Sequence, residues 1–161
     1  LLSLDEAASD TLVEWKSDPG RRAITIRQIL NLTSGLKPAR IGRAPAYADA
    51  IAARAVAAPG AEFAYGPLNF QVFGEIMRRK LKSFEGGRYA DPLAYLDARV
   101  LTPAGVEYAG WKRGEDGMPV LAHGAVLTAR EWAAFGVFVL EGATAAGKPQ
   151  ADPAALKAMF E

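Results

Sequence analysis

Tyr65 occupies the setting in this chain that most invites chemistry. It ends the run Ala61-Glu62-Phe63-Ala64-Tyr65, and Gly66-Pro67 then turn the chain into a segment with an apolar stripe at helical spacing: Phe70, Phe73, Gly74, Met77 and Leu81. Pro67 fits the first helical position, where its fixed φ suits a helix and its missing N–H is no loss. Tyr65 therefore stands just ahead of a helix N-terminus, in a field that favours negative charge. Such a field suits a phenol that exchanges a proton. The alternative for Tyr65 is a packed aromatic with its hydroxyl capped.

Other groups have weaker credentials. Ser34-Gly35-Leu36-Lys37 has the Ser-x-x-Lys spacing that places a nucleophile and its base on one helical turn. It falls at a helix end, however, where Gly35 and Pro38 break that turn, so Ser34 reads as a C-terminal cap. His123, in Ala122-His123-Gly124-Ala125, reads as a loop histidine, since the partners of a base meet only in space. Glu115 and Asp116 are adjacent in a glycine-bearing turn and read as turn residues. The glycines do not form a phosphate-binding loop.

The elements around these residues follow from periodicity and caps. Leu4, Ala7, Ala8, Leu12 and Trp15 could line a short opening helix, before the turn Ser17-Asp18-Pro19-Gly20. Arg21 and Arg22 read as solvated. Thr25 and Gln28 have capping-box spacing for a helix over 24–32 that stops near Ser34-Gly35. The alanine-rich stretch 45–58 predicts another helix, ended by Pro59-Gly60. The helix after Tyr65 runs from Pro67 to about Ser83, and Arg78, Arg79, Lys80 and Lys82 suit its negative end. Asp91-Pro92 opens a helix to Val100. Residues 106–127 lack helical period and read as irregular or short extended chain. Thr128 and Glu131 make a second capping-box pattern, opening a helix nearly apolar all round and so expected deep in a core. The segment 144–151 reads as an exposed loop, and Asp152-Pro153 starts a last helix to Glu161. The pattern predicts a mainly α chain of six or seven helices with little strand, in one domain over 1–161.

Composition narrows the function classes. The 161 residues carry 19 basic and 18 acidic side chains, a net charge of +1 that calls for neither nucleic acid nor anionic membrane. With no cysteine and one histidine, thiolate zinc sites, cysteine nucleophiles and multi-histidine metal sites are excluded. No cofactor is implied, and no run approaches a membrane span. Residues 24–56 also admit a helix-turn-helix reading, with Gly35 in the turn and Arg40, Arg43 and Arg54 toward phosphate. The stretch from Ser34 to Pro45 is too long for the usual tight turn. The chain opens on Leu1 as a piece of a larger functional unit would.

Several segments together resemble one family. Leu2-Ser3-Leu4-Asp5, and Ile24-Thr25-Ile26-Arg27-Gln28-Ile29-Leu30-Asn31-Leu32-Thr33-Ser34-Gly35-Leu36, are similar to the region after the nucleophile in class C β-lactamase-related serine hydrolases, which include penicillin-binding DD-peptidases and esterases. Pro59-Gly60-Ala61-Glu62-Phe63-Ala64-Tyr65 resembles the approach to the family's Tyr-x-Asn motif, and Gly124 to Gly136 resembles a later recurring stretch. Order and spacing agree over nearly the whole chain.

The resemblance implies that Tyr65 matches the motif tyrosine, which assists proton transfer at the serine oxygen and leaving group. The asparagine position falls on Pro67, and Asn69 comes two residues late. The family's Ser-x-x-Lys belongs upstream of Leu2 and its Lys/His-x-Gly strand beyond Glu161. The resemblance thus implies the helical subdomain of a β-lactamase/DD-peptidase-like α+β fold, inactive alone. Its partners would be the remainder of a parent chain and, in that parent, a small-molecule or peptidoglycan-like substrate. Periplasmic or secreted localisation is implied by the family only. The alternatives are a non-catalytic helical interaction module and the helix-turn-helix domain.

Overall fold

The computed structural model describes residues 1–158 and 160. It divides into two compact units: Leu1–Pro92 with Lys112–Gly124, and Leu93–Trp111 with the segment from Ala125 onward.

The first unit opens with 3-10 turns at Ala8–Asp10 and Val13–Trp15 instead of one helix. The cause lies in backbone pairing. Ala8 N–H donates to Ile24 O at 2.8 Å, Ile26 N–H to Glu6 O at 3.1 Å and Arg27 N–H to Leu4 O at 2.7 Å, so the segment spends its polar backbone on residues 24–27. Helix α1 (Ile26–Leu30) starts as its sequence predicts. Thr25 and Gln28 close a reciprocal capping box. The helix ends at Leu30, earlier than expected; Leu32 takes the left-handed conformation at φ 60°, and Gly35 takes it as expected, at φ 75°.

Helix α2 (Tyr47–Ala52) is shorter than the alanine-rich stretch suggests. Beyond Ala52 the chain pairs with residues 35–37: Lys37 N–H donates to Arg54 O at 2.8 Å and Val56 N–H to Gly35 O at 2.8 Å. A long-range ladder overrides local propensity here. Arg21 is not solvated. Its guanidinium donates to Ile51 O and Ala53 O at the end of α2, pairs with Asp18 at 2.7 Å and lies over the Trp15 ring. This charge satisfies carbonyls that the helix end leaves open.

Helix α3 (Leu68–Leu81) is the axis of the unit and packs against α1 and α2. Pro67 stands one position earlier than expected, as the N-cap. Leu68, Val72 and Ile76 join Leu12, Trp15, Ile24, Ile26, Ile29 and Leu36 in one buried cluster. Each such side chain contributes roughly 1.5–3 kcal/mol when fully buried. The expected stripe is displaced: Gly74, Met77 and Leu81 are buried, whereas Phe70 and Phe73 are only partly covered. The basic end of α3 is absorbed structurally. Glu75 binds Arg78 at 2.6 Å and Arg79 at 2.7 Å, Arg79 reaches Glu14 at 2.7 Å, and Lys80 reaches Glu6 at 2.6 Å. Burial alone would raise the Glu75 carboxyl, but the Arg78 and Arg79 guanidinium groups hold it below the usual glutamate range.

In the second unit, α4 (Pro92–Leu96) continues as a π turn over Asp97–Leu101. Strands β1 (Gly110–Trp111) and β2 (Ala125–Val126) pair antiparallel, with Gly110 opposite Val126. Helix α5 (Ala129–Leu140) has the expected Thr128–Glu131 capping box but not the expected burial. Phe138 is covered, while Trp132, Val137 and Leu140 are exposed. A helix apolar on every side has more apolar surface than this small unit covers. The stretch expected as a loop at 144–151 carries a short hairpin, β3 (Thr144–Ala145) with β4 (Lys148–Pro149). Helix α6 (Pro153–Lys157) is capped by Asp152, whose carboxylate accepts from Ala154 and Ala155 N–H. The expected reach of this helix to Glu161 lies outside the described residues. Among the described residues no helix is long and apolar enough to cross a membrane.

Candidate active site

The chain leading to Tyr65 is held by backbone hydrogen bonds. Gly60 N–H donates to Thr33 O at 2.7 Å and Ala64 N–H to Leu32 O at 2.9 Å, so the extended approach to Tyr65 is fastened to the turn after α1. Gly66 follows in a tight place: a Cβ there would stand 3.0 Å from Ala39 O. Pro67 then opens α3. The phenol is not packed or capped. Tyr65 is 64% exposed, and its hydroxyl makes no hydrogen bond among the described residues.

Beside it lies an open cavity of about 310 Å³. Tyr65, Pro67 and Phe70 contribute from the start of α3, Ile41 and Gly42 from the connection before α2, and Ala122 with His123 from the 112–124 segment. The first unit therefore brings His123 to the same cavity as Tyr65, a juxtaposition that a separation of 58 positions conceals in the sequence.

The 112–124 segment is a hairpin-like excursion anchored at three points. At its base Lys112 N–H donates to Gly124 O at 2.8 Å. At its tip the Asp116 carboxylate accepts from Tyr47 N–H at 2.8 Å and from Met118 N–H at 3.0 Å, making Asp116 both a turn residue and a lid on the first N–H of α2. On the return arm, Leu121 N–H donates to Gln71 Oε1 at 3.0 Å, while Gln71 Nε2 donates to Pro45 O at 2.9 Å. Tyr47 O–H adds a buried bond to Pro119 O at 2.8 Å, and burial, with Asp116, Asp91 and Glu75 nearby, pushes that phenol far above the ordinary tyrosine range. Tyr47 is thus a fixed structural donor. Gln71 and Tyr47 do not stand out in the sequence as positioning groups. The available signal is a glutamine inside an apolar helical face, where a polar side chain needs a partner.

Ser34 is 1% exposed and donates through Oγ to Asn69 Oδ1 at 2.6 Å, while accepting weakly from Leu36 N–H at 3.3 Å. It is neither a presented nucleophile nor a helix cap; it ties the turn after α1 to the first turn of α3. Lys37 is exposed and forms no pair with it. Asn69 is turned inward by the same bond, away from the role of a motif amide. Glu115 is exposed.

The Beta-lactamase family model matches residues 1–160. The chain belongs to the Beta-lactamase family. Three solved structures carry the same fold at low identity. One is a Bacteroides dorei protein assigned as a beta-lactamase, with TM-score 0.73 and 22% identity, over 98% of this chain and 48% of that one. A Bacillus anthracis protein assigned as a 6-aminohexanoate-dimer hydrolase gives TM-score 0.74 and 18% identity, over 98% and 46%. A penicillin-binding protein homolog of Caulobacter crescentus gives TM-score 0.69 and 21% identity, over 98% and 54%. The chain spans about half the length of these relatives. No curated protein matches it. The chain is mainly helical, and its fold is that of the Beta-lactamase family.

Proposed function

We propose that this chain is the helical subdomain of a β-lactamase-type serine hydrolase and supplies Tyr65 to its acyl-transfer site. In the parent, a serine outside this chain attacks an amide, lactam or ester carbonyl. An acyl-enzyme forms, the leaving group departs and water releases the acid. Tyr65 relays a proton between the serine oxygen and the leaving group, a general acid–base role of the kind that contributes about 10²–10⁴-fold. The observation that carries this reading is the Tyr65 hydroxyl, exposed and without a hydrogen bond among the described residues, beside an open cavity and two residues before Pro67 at the start of α3. Among the described residues no serine, threonine or cysteine lines that cavity, and Ser34 is buried against Asn69. The chain is therefore inactive without the remainder of the parent.

The test is covalent labelling of the full parent with a fluorescent penicillin and with a fluorophosphonate. Labelling at a serine outside residues 1–161 supports the reading; a parent that neither reagent labels sinks it. A non-catalytic interaction module derived from the same fold is the second reading. It is favoured by Pro67 at the motif asparagine position and by the inward engagement of Asn69. An unlabelled but folded parent that binds a partner protein through this chain would support it.

A further inference from the structure

The cavity at Tyr65 does not end at His123. A second groove of about 590 Å³ shares Gly42 and His123 with it and continues toward Arg40, Arg43 and Lys112. A turn sets the two arginines side by side: Arg43 N–H donates to Arg40 O at 3.1 Å. Gly42, third in the turn, has φ 79°, the sign a type II turn requires there and one that glycine adopts without strain. The first and last Cα of such a turn lie within about 7 Å, so the two side chains start from neighbouring points. Lys112 comes from a separate segment, its backbone fixed by bonds to Gly124 O at 2.8 Å and from Val120 N–H at 3.0 Å.

These three cations are exposed, and none makes a side-chain hydrogen bond or ion pair among the described residues. Lys16, Arg22, Lys37, Arg54 and Lys82 of the same unit are also without such a partner among the described residues, but they do not line the groove. Arg113, on the same groove, is bound to Asp91 at 2.8 Å, and Arg21, Arg27, Arg78 and Arg79 each hold a carboxylate. The groove also carries Asp49 and Glu115, both without a side-chain partner among the described residues. Three open cations against two open acids do not make a polyanion surface. They suit one compact anion seated between the guanidinium groups, which bind carboxylates by paired N–H donors.

We propose that the groove formed by the Arg40–Arg43 turn and Lys112, joined to the Tyr65 cavity through Gly42 and His123, is a subsite for a carboxylate carried by the substrate. The assignment to substrate rests on the acyl-transfer reading of Tyr65; the anion site itself does not.

Two measurements separate the claims. In the first, glutarate and its dimethyl ester are titrated into isotopically labelled chain at low salt. Glutarate shifts the Gly42, Lys112 and His123 amides, the ester does not, and the shifts vanish in R40Q/R43Q and fade with added salt. Shifts that survive in R40Q/R43Q and in K112M, or no shifts in folded protein, overturn the subsite. In the second, the full parent is assayed on a matched ester pair with and without a carboxylate. The R40Q/R43Q parent loses about tenfold in kcat/KM on the carboxylate ester, in line with a charge-assisted bidentate contact, and nothing on the neutral one. Equal losses on both overturn the substrate role. A parent that acylates neither ester while glutarate still binds overturns the hydrolase reading and the substrate role, and leaves the anion site standing.

Discussion

Ser34 Oγ donates to Asn69 Oδ1 at 2.6 Å, joining two fully enclosed polar side chains 35 positions apart. The bond fixes the turn after α1 against the first turn of α3, the two places from which Tyr65 is held. Ser34→Ala leaves the Asn69 carbonyl buried without its donor, a loss of about 1–3 kcal/mol. Urea unfolding should show that loss, with the chain still folded at neutral pH. An unchanged midpoint would show that the bond is energetically silent. Fluorophosphonate labelling of Ser34 itself would contradict its burial.

Tyr65→Phe should separate stability from activity. The side chain is exposed and its hydroxyl makes no hydrogen bond among the described residues, so the unfolding free energy should move by no more than about 0.5 kcal/mol. In the full parent the same change should lower kcat by about 10²-fold or more, as removal of a proton relay does. Near-normal kcat would remove Tyr65 from the chemistry.

Gly74 admits no side chain. A Cβ built there collides with the Tyr47 ring and its hydroxyl. Gly74→Ala should therefore destabilise by about 1–3 kcal/mol through overpacking. Tyr47→Leu relieves the collision while losing the bond to Pro119 O, so the double variant should be less destabilised than the sum of the singles. Strict additivity, read from thermal unfolding of all four forms, would show that the two residues do not meet.

Stability should fall in acid in a definite window. Glu75, Glu14 and Glu6 are each held below the ordinary carboxyl range by their arginine or lysine partners against the opposing effect of burial. A depressed folded-state pKa means that the unfolded chain binds protons first. The stabilisation is therefore complete above the unfolded glutamate value of about 4.3 and is lost as pH falls through the lower folded values. Unfolding free energy measured from pH 7 to 3 should be flat and then decline below that value. Glu75→Gln should make the decline shallower, and an identical profile would exclude Glu75 from the acid response.

What could be read from the sequence was local. Thr25 with Gln28 and Thr128 with Glu131 announce helix starts because a capping box lies within four residues, and both are present. Tyr65 ahead of a proline-opened helix was legible for the same reason. The early end of α2 was not, because Arg54 to Ala57 pair with a segment about twenty positions upstream. The partners of Asn69 and Gln71 stand 35 and 50 positions away, so a polar residue on an apolar face announced only that some partner exists. The exposure of α5 is not legible, because an apolar helix states a demand for cover and says nothing of whether neighbours meet it. His123 was visible only as a loop residue, since its company with Tyr65 arises from the anchoring of the whole 112–124 excursion.

One amide within that anchoring serves two segments at once. Gln71 holds Pro45 O with one end and Leu121 N–H with the other, so the chain entering α2 and the arm carrying His123 hang from the same peg. Release of either frees a polar end of Gln71 that has no other partner inside the unit. The two segments are accordingly one opening unit: in hydrogen exchange the Leu121 and Tyr47 amides, 74 positions apart in the chain, should surrender their protons on a common timescale.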